Sequence, residues 1–348
     1  MTGGDFNISK VTRLILFFKT YITLIKKKPH NLILYLNQDF NLDLKVLNKM
    51  IRLFEDEQHA KIYRKFRPKA PNVVVEKTIQ YLRKRTRLQN CADKFQLMVD
   101  VGCGSGQTTE PFASYFEKII GIDASASQIA CAPKKFPHIE YLVGKGESIP
   151  VDDESVDLIT CGAAVHWLDF PVFLGECHRV LKPNGCLLLY YYDYVKLYPQ
   201  FKTSLKKEEI IAAQLKAKSN FLKTCRFHSI MRNIGDHYKD LFDVIQSDNK
   251  ERTENIEISA DWTLDDVKNH FRSLSGYQTM MREKLENLKQ TYGEEIMNEE
   301  SLLNHDPCEE FSKELKCAWK IGLMEDSDVR LKVTWDHFML LSDRPRNL

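Results

Sequence analysis

The sequence predicts an α/β chain: a mostly parallel sheet of seven strands with an antiparallel edge pair, helices on both faces and a helical lid. Three observations predict it. Short apolar runs alternate with helical patterns between Asn72 and Tyr194, the rhythm of βαβ units. The run Leu97-Met98-Val99-Asp100-Val101 breaks into glycines at Gly102, Gly104 and Gly106, a strand entering a turn whose backbone approaches a ligand with no Cβ in the way. Beyond Tyr194 the rhythm changes to lysine-rich helices, closed by a late alternating strand.

In chain order, Asn72–Arg87 reads as a helix ending in cations, as its C-terminal dipole favours. Phe95–Val101 is the first strand, followed by the glycine turn and a helix through Thr109–Phe116. Lys118–Asp123 is a short strand ending in an acid, Ser127–Ala132 a helix, and Glu140–Val143 a third strand. Ser155–Thr160 and Cys186–Tyr192 are the fourth and fifth strands, the latter after the turn Lys182-Pro183-Asn184-Gly185. Helices follow at Leu205–Lys218 and Phe221–Ile234, then a strand-like Asn255–Ser259, then helices at Leu264–Arg272, Tyr277–Thr291 and Glu309–Ile321. Val329–Leu341 alternates apolar and polar residues and pairs with the preceding strand at the sheet edge. The helices around 196–253 and 262–325 then form a lid over the carboxyl ends of the strands, where open α/β sheets bind ligands.

Residues 1–49 stand apart as an N-terminal extension, helical or poorly ordered, with an apolar patch Leu14–Phe18 followed by Lys19 and Lys26-Lys27-Lys28. A basic membrane-surface helix and a targeting segment are the alternatives. Lys19 interrupts the patch and no cleavage pattern follows, which favours an extra helix or a loose extension. The remaining domain runs 50–348. At 348 residues, 43% hydrophobic and 28% charged, the chain has ample core for a globular protein. Its formal charge of +2 indicates no phosphate-tracking surface, so no nucleic acid partner is expected. Nine scattered cysteines without a C-x-x-C pair fit free thiols in a reducing, cytoplasmic compartment, and no metal site is expected. No apolar run reaches the roughly 18 residues of a membrane span, so stable membrane insertion is not expected either.

The spacing of the glycine turn narrows its ligand. A P-loop needs Gly-Lys-Ser/Thr after four free positions and no lysine follows; the dinucleotide fingerprint would place glycine at Gln107. Asp123, 19 residues after Gly104, can accept hydrogen bonds from both ribose hydroxyls of an adenosine. Asp100 can hold an ammonium group directly or through water, or bond the turn backbone.

An acid one residue before G-x-G-x-G resembles motif I of the S-adenosylmethionine (SAM) methyltransferases with a Rossmann-like fold. Gly144-Lys145-Gly146-Glu147-Ser148-Ile149-Pro150 resembles their G-D-A-E-x-L-P segment, with Lys145 replacing an acid assigned to the adenine amino group. Adenine recognition then falls to the backbone and Glu147. The tetrad His166-Trp167-Leu168-Asp169 looks like that of the small-molecule enzymes related to trans-aconitate methyltransferase, as do Arg179–Gly185 and, upstream, Tyr63–Pro68. Thr263-Leu264 with Ser273–Tyr277 resembles their lid, and the likeness is loose between Tyr194 and Asn255. The resemblance implies SAM as cofactor and S-adenosylhomocysteine as product. It implies Asp100, Gly102, Gly104, Asp123, Ala124, Glu147, Ser148 and Ala163 as cofactor contacts. It also implies a small-molecule acceptor in place of an amino group, because Cys161-Gly162-Ala163-Ala164 stands where the amino-group enzymes carry Asn/Asp-Pro-Pro-Tyr/Phe.

Methyl transfer from a sulfonium is an in-line displacement, in which the protein positions the acceptor and excludes water. Aromatic faces stabilise the sulfonium or wall the pocket, and Tyr63, Trp167, Tyr192, Tyr194, Tyr277 and Trp335 are the candidates. His166 is the catalytic candidate. It is a general base towards a phenol, an orienting group towards a carboxylate, or a structural histidine. Arg67 and Arg272 are candidates to pair with an anionic acceptor. The expectation is O-methylation of a small molecule by a monomer or weak homodimer. Protein or RNA methylation and a non-catalytic SAM-binding protein are the alternatives, and a dehydrogenase is disfavoured by Gln107.

Overall fold

The computed structural model describes residues 57–86, 92–193, 195–225, 236–292 and 306–346, so the extension at 1–49 lies outside the described residues. Two helices come first, α1 (Glu57–Phe66) and α2 (Asn72–Thr86). Strands β1 (Phe95–Val101), β2 (Phe116–Asp123), β3 (Ile139–Val143), β4 (Val156–Gly162) and β5 (Leu181–Tyr192) then alternate with the short helix α3 (Ala126–Ala130) and with α4 (Phe170–Val180). The rest comprises β6 (Lys196–Pro199), α5 (Lys207–Thr224), α6 (Lys239–Val244), β7 (Lys250–Thr263), α7 (Leu264–Arg272), α8 (Ser275–Tyr292), α9 (Pro307–Ala318) and β8 (Arg330–Asp343).

The sheet runs β3-β2-β1-β4-β5-β8-β6, with β7 also paired to β8. β1 to β5 are parallel, whereas β8 is antiparallel to β5, β6 and β7. The sheet thus has eight strands rather than seven. The addition is β6, four residues that carry on from β5 and pair with Leu331–Thr334 of β8, too short to show alternation in sequence. Between β4 and β5 the register jumps from Val156↔Leu181 to Leu158↔Cys186, so Lys182–Gly185 bulges out as the expected turn. The segment after the glycine turn is a 3-10 helix, Glu110–Tyr115, rather than an α-helix. Pro111 sits at its start and the next strand begins at Phe116, leaving too few residues for α-helical turns.

Alternation along β5 separates two cores. Leu187 and Leu189 join Val99, Val101, Ile159 and the buried face of α4, while Cys186, Leu188 and Tyr190 join Met98, Leu158 and the apolar stripe of α2. A third core is built from Ala217 and Phe221 of α5, Val267 and Phe271 of α7, Phe311 and Leu315 of α9, and Leu331, Val333 and Trp335 of β8. Caps fix these helices: Thr263 and Asp266 form a reciprocal capping box on α7, and Asp306 accepts from Cys308 N at the start of α9. The third core also contains Tyr192, which ends β5, so the helical layer reaches the carboxyl end of the sheet.

Candidate active site

Gly102, Gly104 and Gly106 all adopt left-handed backbone, with φ of +66°, +54° and +90°. A Cβ on Gly102 would stand 2.3 Å from the Ala164 Cβ, so that position is packed against the loop after β4. Gly104 is different. A Cβ there meets nothing closer than 3.6 Å, and the space beside it is bordered by Tyr63, Gln107 and Gln128. Asp123 holds this turn open from the end of β2, because Gly104 N donates to Asp123 Oδ2 and Ser125 N donates to Asp123 Oδ1, each at 2.8 Å. Both oxygens keep a further acceptor position. Burial raises the Asp123 pKa, opposed by those two backbone donors.

Asp100 is fully buried below the turn, and its oxygens accept from Thr109 Oγ1 at 2.6 Å and Thr160 Oγ1 at 2.7 Å. Burial pushes its carboxyl up to about 7. It therefore ties β1 to β4 and to the segment after the turn through two side-chain hydroxyls. Ala124 is exposed beside Asp123, and Ser148 is exposed. Glu147 Oε1 accepts from Asp169 N at 2.9 Å, which anchors the His166–Asp169 segment. Ala163 takes left-handed backbone, φ +54°, and donates its N–H to Tyr190 O, so the chain bends sharply out of β4 towards His166.

His166 and Trp167 lie in a single 3-10 turn, Val165–Trp167, with ring centroids 5.0 Å apart. His166 also meets the Tyr191 edge at 5.5 Å, and its Nδ1 is 2.8 Å from the Tyr238 hydroxyl. Burial, with the positive charge of Arg67, lowers the His166 pKa to about 3, so the imidazole is neutral around pH 7. Arg67 Nη1 donates to Tyr192 Oη at 3.0 Å, and its guanidinium lies 4.9 Å over the Tyr63 ring. Tyr63, Arg67, His166, Tyr191 and Tyr192 thus form one connected group beside the glycine turn.

Two predicted residues sit elsewhere in the third core. Tyr277 is buried beside Asp306, and Trp335 packs edge-on to Trp262 at 4.9 Å. Tyr194 lies outside the described residues. Sequence reasoning missed two others. Tyr238 is wholly buried with φ +57°, where the family likeness is loose and no local pattern marks it. Gln128 is 2% exposed, and neither its Nε2 nor its Oε1 has a partner. Its place five residues after Asp123, on the first turns of α3, was the available signal. A buried, unsatisfied amide bordering the open side of Gly104 fits a ligand rich in hydrogen-bonding groups, as an adenosine is. With Asp123 and the glycine turn, the residues present fit SAM.

Residues 99–189 match the family described as a methyltransferase domain. A Dictyostelium discoideum protein named as a methyltransferase is 30% identical over 197 residues, 56% of this chain and 69% of that one. A Schizosaccharomyces pombe methyltransferase is 42% identical over 93 residues, but the match spans only 26% of this chain and 37% of that protein. Among solved structures, a type II methyltransferase of Anaeromyxobacter dehalogenans aligns with a TM-score of 0.56 at 22% identity, covering 80% of this chain and 98% of the other, a likeness of fold.

Proposed function

The chain belongs to the class I SAM-dependent methyltransferases with a Rossmann-like fold, and from that membership we propose that it transfers the methyl group to an oxygen, phenolic or carboxylate, of a small molecule. SAM supplies a methyl group activated on a sulfonium. The observation that carries the acceptor reading is the group of His166, Trp167, Tyr191, Tyr192 and Arg67 gathered beside the glycine turn at the carboxyl end of β4 and β5.

Asp123 presents its two remaining acceptor positions to the ribose hydroxyls, and Gly104 lets the cofactor lie against the turn. Asp100 keeps the strand ends in register beneath it. Tyr191 and Tyr192 stack with centroids 5.3 Å apart and planes 8° apart, so their faces form a wall that excludes water and favours a nearby positive centre. His166 orients the acceptor. With Nδ1 engaged by Tyr238, Nε2 is the nitrogen left for the acceptor oxygen, and a neutral imidazole whose pKa has fallen to about 3 is a feeble base but a serviceable hydrogen-bond partner. A carboxylate acceptor arrives ionised and needs no base, which suits this environment better than a phenol. The helices of the third core act as the lid over these groups.

The test is a screen of small phenols and carboxylic acids with radiolabelled SAM, followed by His166→Ala. The variant is expected to bind S-adenosylhomocysteine within about twofold of the parent while turnover falls tenfold or more. Unchanged turnover removes His166 from the reaction. Methylation only of protein or RNA substrates replaces the small-molecule reading.

A further inference from the structure

His237 and Tyr238 stand just before α6, and both take left-handed backbone, with φ of +55° and +57°. Neither is glycine, and two such residues in succession are strained, so the surrounding structure must hold them there. It does so from three sides. The His237 ring lies flat on Phe338 of β8, with centroids 4.7 Å and planes 17° apart. Its Nε2 is 3.1 Å from Asp193 Oδ2, just past the end of β5, and its Nδ1 is 3.8 Å from Glu254 Oε2 of β7. Tyr238 is wholly buried, meets Phe338 edge-on at 5.2 Å and packs against Tyr191 at 5.9 Å.

What this arrangement delivers is one hydroxyl. Tyr238 Oη lies 2.8 Å from His166 Nδ1, and among the described residues it has no other hydrogen-bond partner. Burial raises the phenol well above its ordinary value, so it keeps its proton. That proton has a single acceptor within reach, the lone pair on Nδ1. His166 is neutral around pH 7 and carries one ring proton. With that proton on Nδ1, the ring would donate to Oη and the buried phenol hydrogen would point into the core without an acceptor. With the proton on Nε2, the phenol donates to Nδ1 and every group is satisfied. His166 is only half-buried, and among the described residues its Nε2 has no hydrogen-bond partner.

We propose that Tyr238 is a positioning residue that fixes His166 in the Nε2–H tautomer, so that His166 meets the methyl acceptor as a hydrogen-bond donor and not as a base. The inference rests on the methyl-transfer reading above. The acceptor must then present a lone pair to Nε2–H and arrive without a proton to shed. In the transfer, the oxygen–methyl bond forms as the sulfonium–methyl bond breaks, the bonding pair stays on sulfur, and no proton changes place. A neutral hydroxyl would leave its proton on the methylated product, and the Nε2–H form has no lone pair facing the acceptor to take it.

Long-range proton–nitrogen NMR of the full chain, isotope-labelled at histidine, reads the tautomer directly, with His166 identified by the signals missing from His166→Ala. The parent is expected to show Nδ1 unprotonated and Nε2 protonated. In Tyr238→Phe, which removes only the hydroxyl, Nδ1 loses its donor and both nitrogens are expected to move towards the values of mixed tautomers. A merely structural tyrosine would leave them unmoved. With an acceptor from the screen, the same variant is expected to lose about tenfold in kcat/KM, the weight of one hydrogen bond, while S-adenosylhomocysteine affinity stays within about twofold. A proton on Nδ1 in the parent overturns the inference, whether or not the variant folds. An unmoved tautomer or unchanged kcat/KM in Tyr238→Phe overturns it too. These results leave the methyl-transfer reading standing, whereas a parent that does not bind S-adenosylhomocysteine overturns that reading itself.

Discussion

Asp123 illustrates how one side chain serves the turn and its ligand together. Its carboxylate accepts from Gly104 N and Ser125 N, so it shapes the backbone before any ribose arrives. Asp123→Ala therefore removes the ligand's acceptor and frees the turn. Hydrogen bonds to a charged group are each worth about 1.5–3 kcal/mol. Losing two such bonds to the ribose corresponds to a fall in S-adenosylhomocysteine affinity of about a hundredfold or more, measurable by calorimetry on a variant whose circular dichroism matches the parent. Near-parental affinity would place the cofactor elsewhere. The acid and the glycines were legible in the sequence because their spacing is local. Gln128 and Tyr238 were not, since their value lies in what they face across the fold: the open side of Gly104 and the Nδ1 of His166.

Among the elements, the boundaries of β1, β2 and β4 followed closely from apolar runs, because a strand buried on both faces writes a continuous hydrophobic signal. The helices of the third core are held differently. Lys268 on α7 is 6% exposed and bonds Asp265, Glu309 and Asp326, which join α7 to α9 and to the loop after it. Ser312 and Lys316 of α9 complete the network on Asp326. Removing the central cation takes one partner from Asp326, which keeps Lys316 and Ser312, and from Glu309, which keeps Arg272, so Lys268→Met is expected to cost about 1.5–3 kcal/mol in urea unfolding. A loss below about 1 kcal/mol would show the network to be solvated. Nothing in the sequence paired these charges: Lys268 and Asp326 are far apart along the chain and each reads alone as a surface residue.

For the molecule as a whole, the buried histidines set the response to acid. Burial lowers His166 and His270 to about 3 and His337 to about 4, from an ordinary value of 6.5. Below pH 6.5 the unfolded chain takes up these protons and the native state does not, so this contribution to stability is lost as pH falls. Asp100 acts in the opposite sense. Raised to about 7, it binds its proton in the native state first and favours folding as pH falls from 7 towards 4. Asp123, also raised by burial, acts with Asp100, but the three histidines outweigh these two carboxylates, and Glu110 and Asp326, whose native pKa values are lowered by ion pairs, lose their contribution further down. The melting temperature is expected to drop steadily from about pH 6.5 to pH 4. A flat profile would mean that these histidines are hydrated.

The sequence by itself determined the βαβ rhythm, the glycine turn with its two acids, the antiparallel late strands and hence the family, because each depends on periodicity or spacing within a short stretch. Only the tertiary structure decided which groups are satisfied and which are left waiting. Arg272 and Arg67 read alike in sequence, yet one folds onto two carboxylates and the other onto a phenol, a carbonyl and a ring. That distinction is set by which helix and strand ends converge, since the fate of a buried charge depends on partners that only long-range packing brings within hydrogen-bond reach.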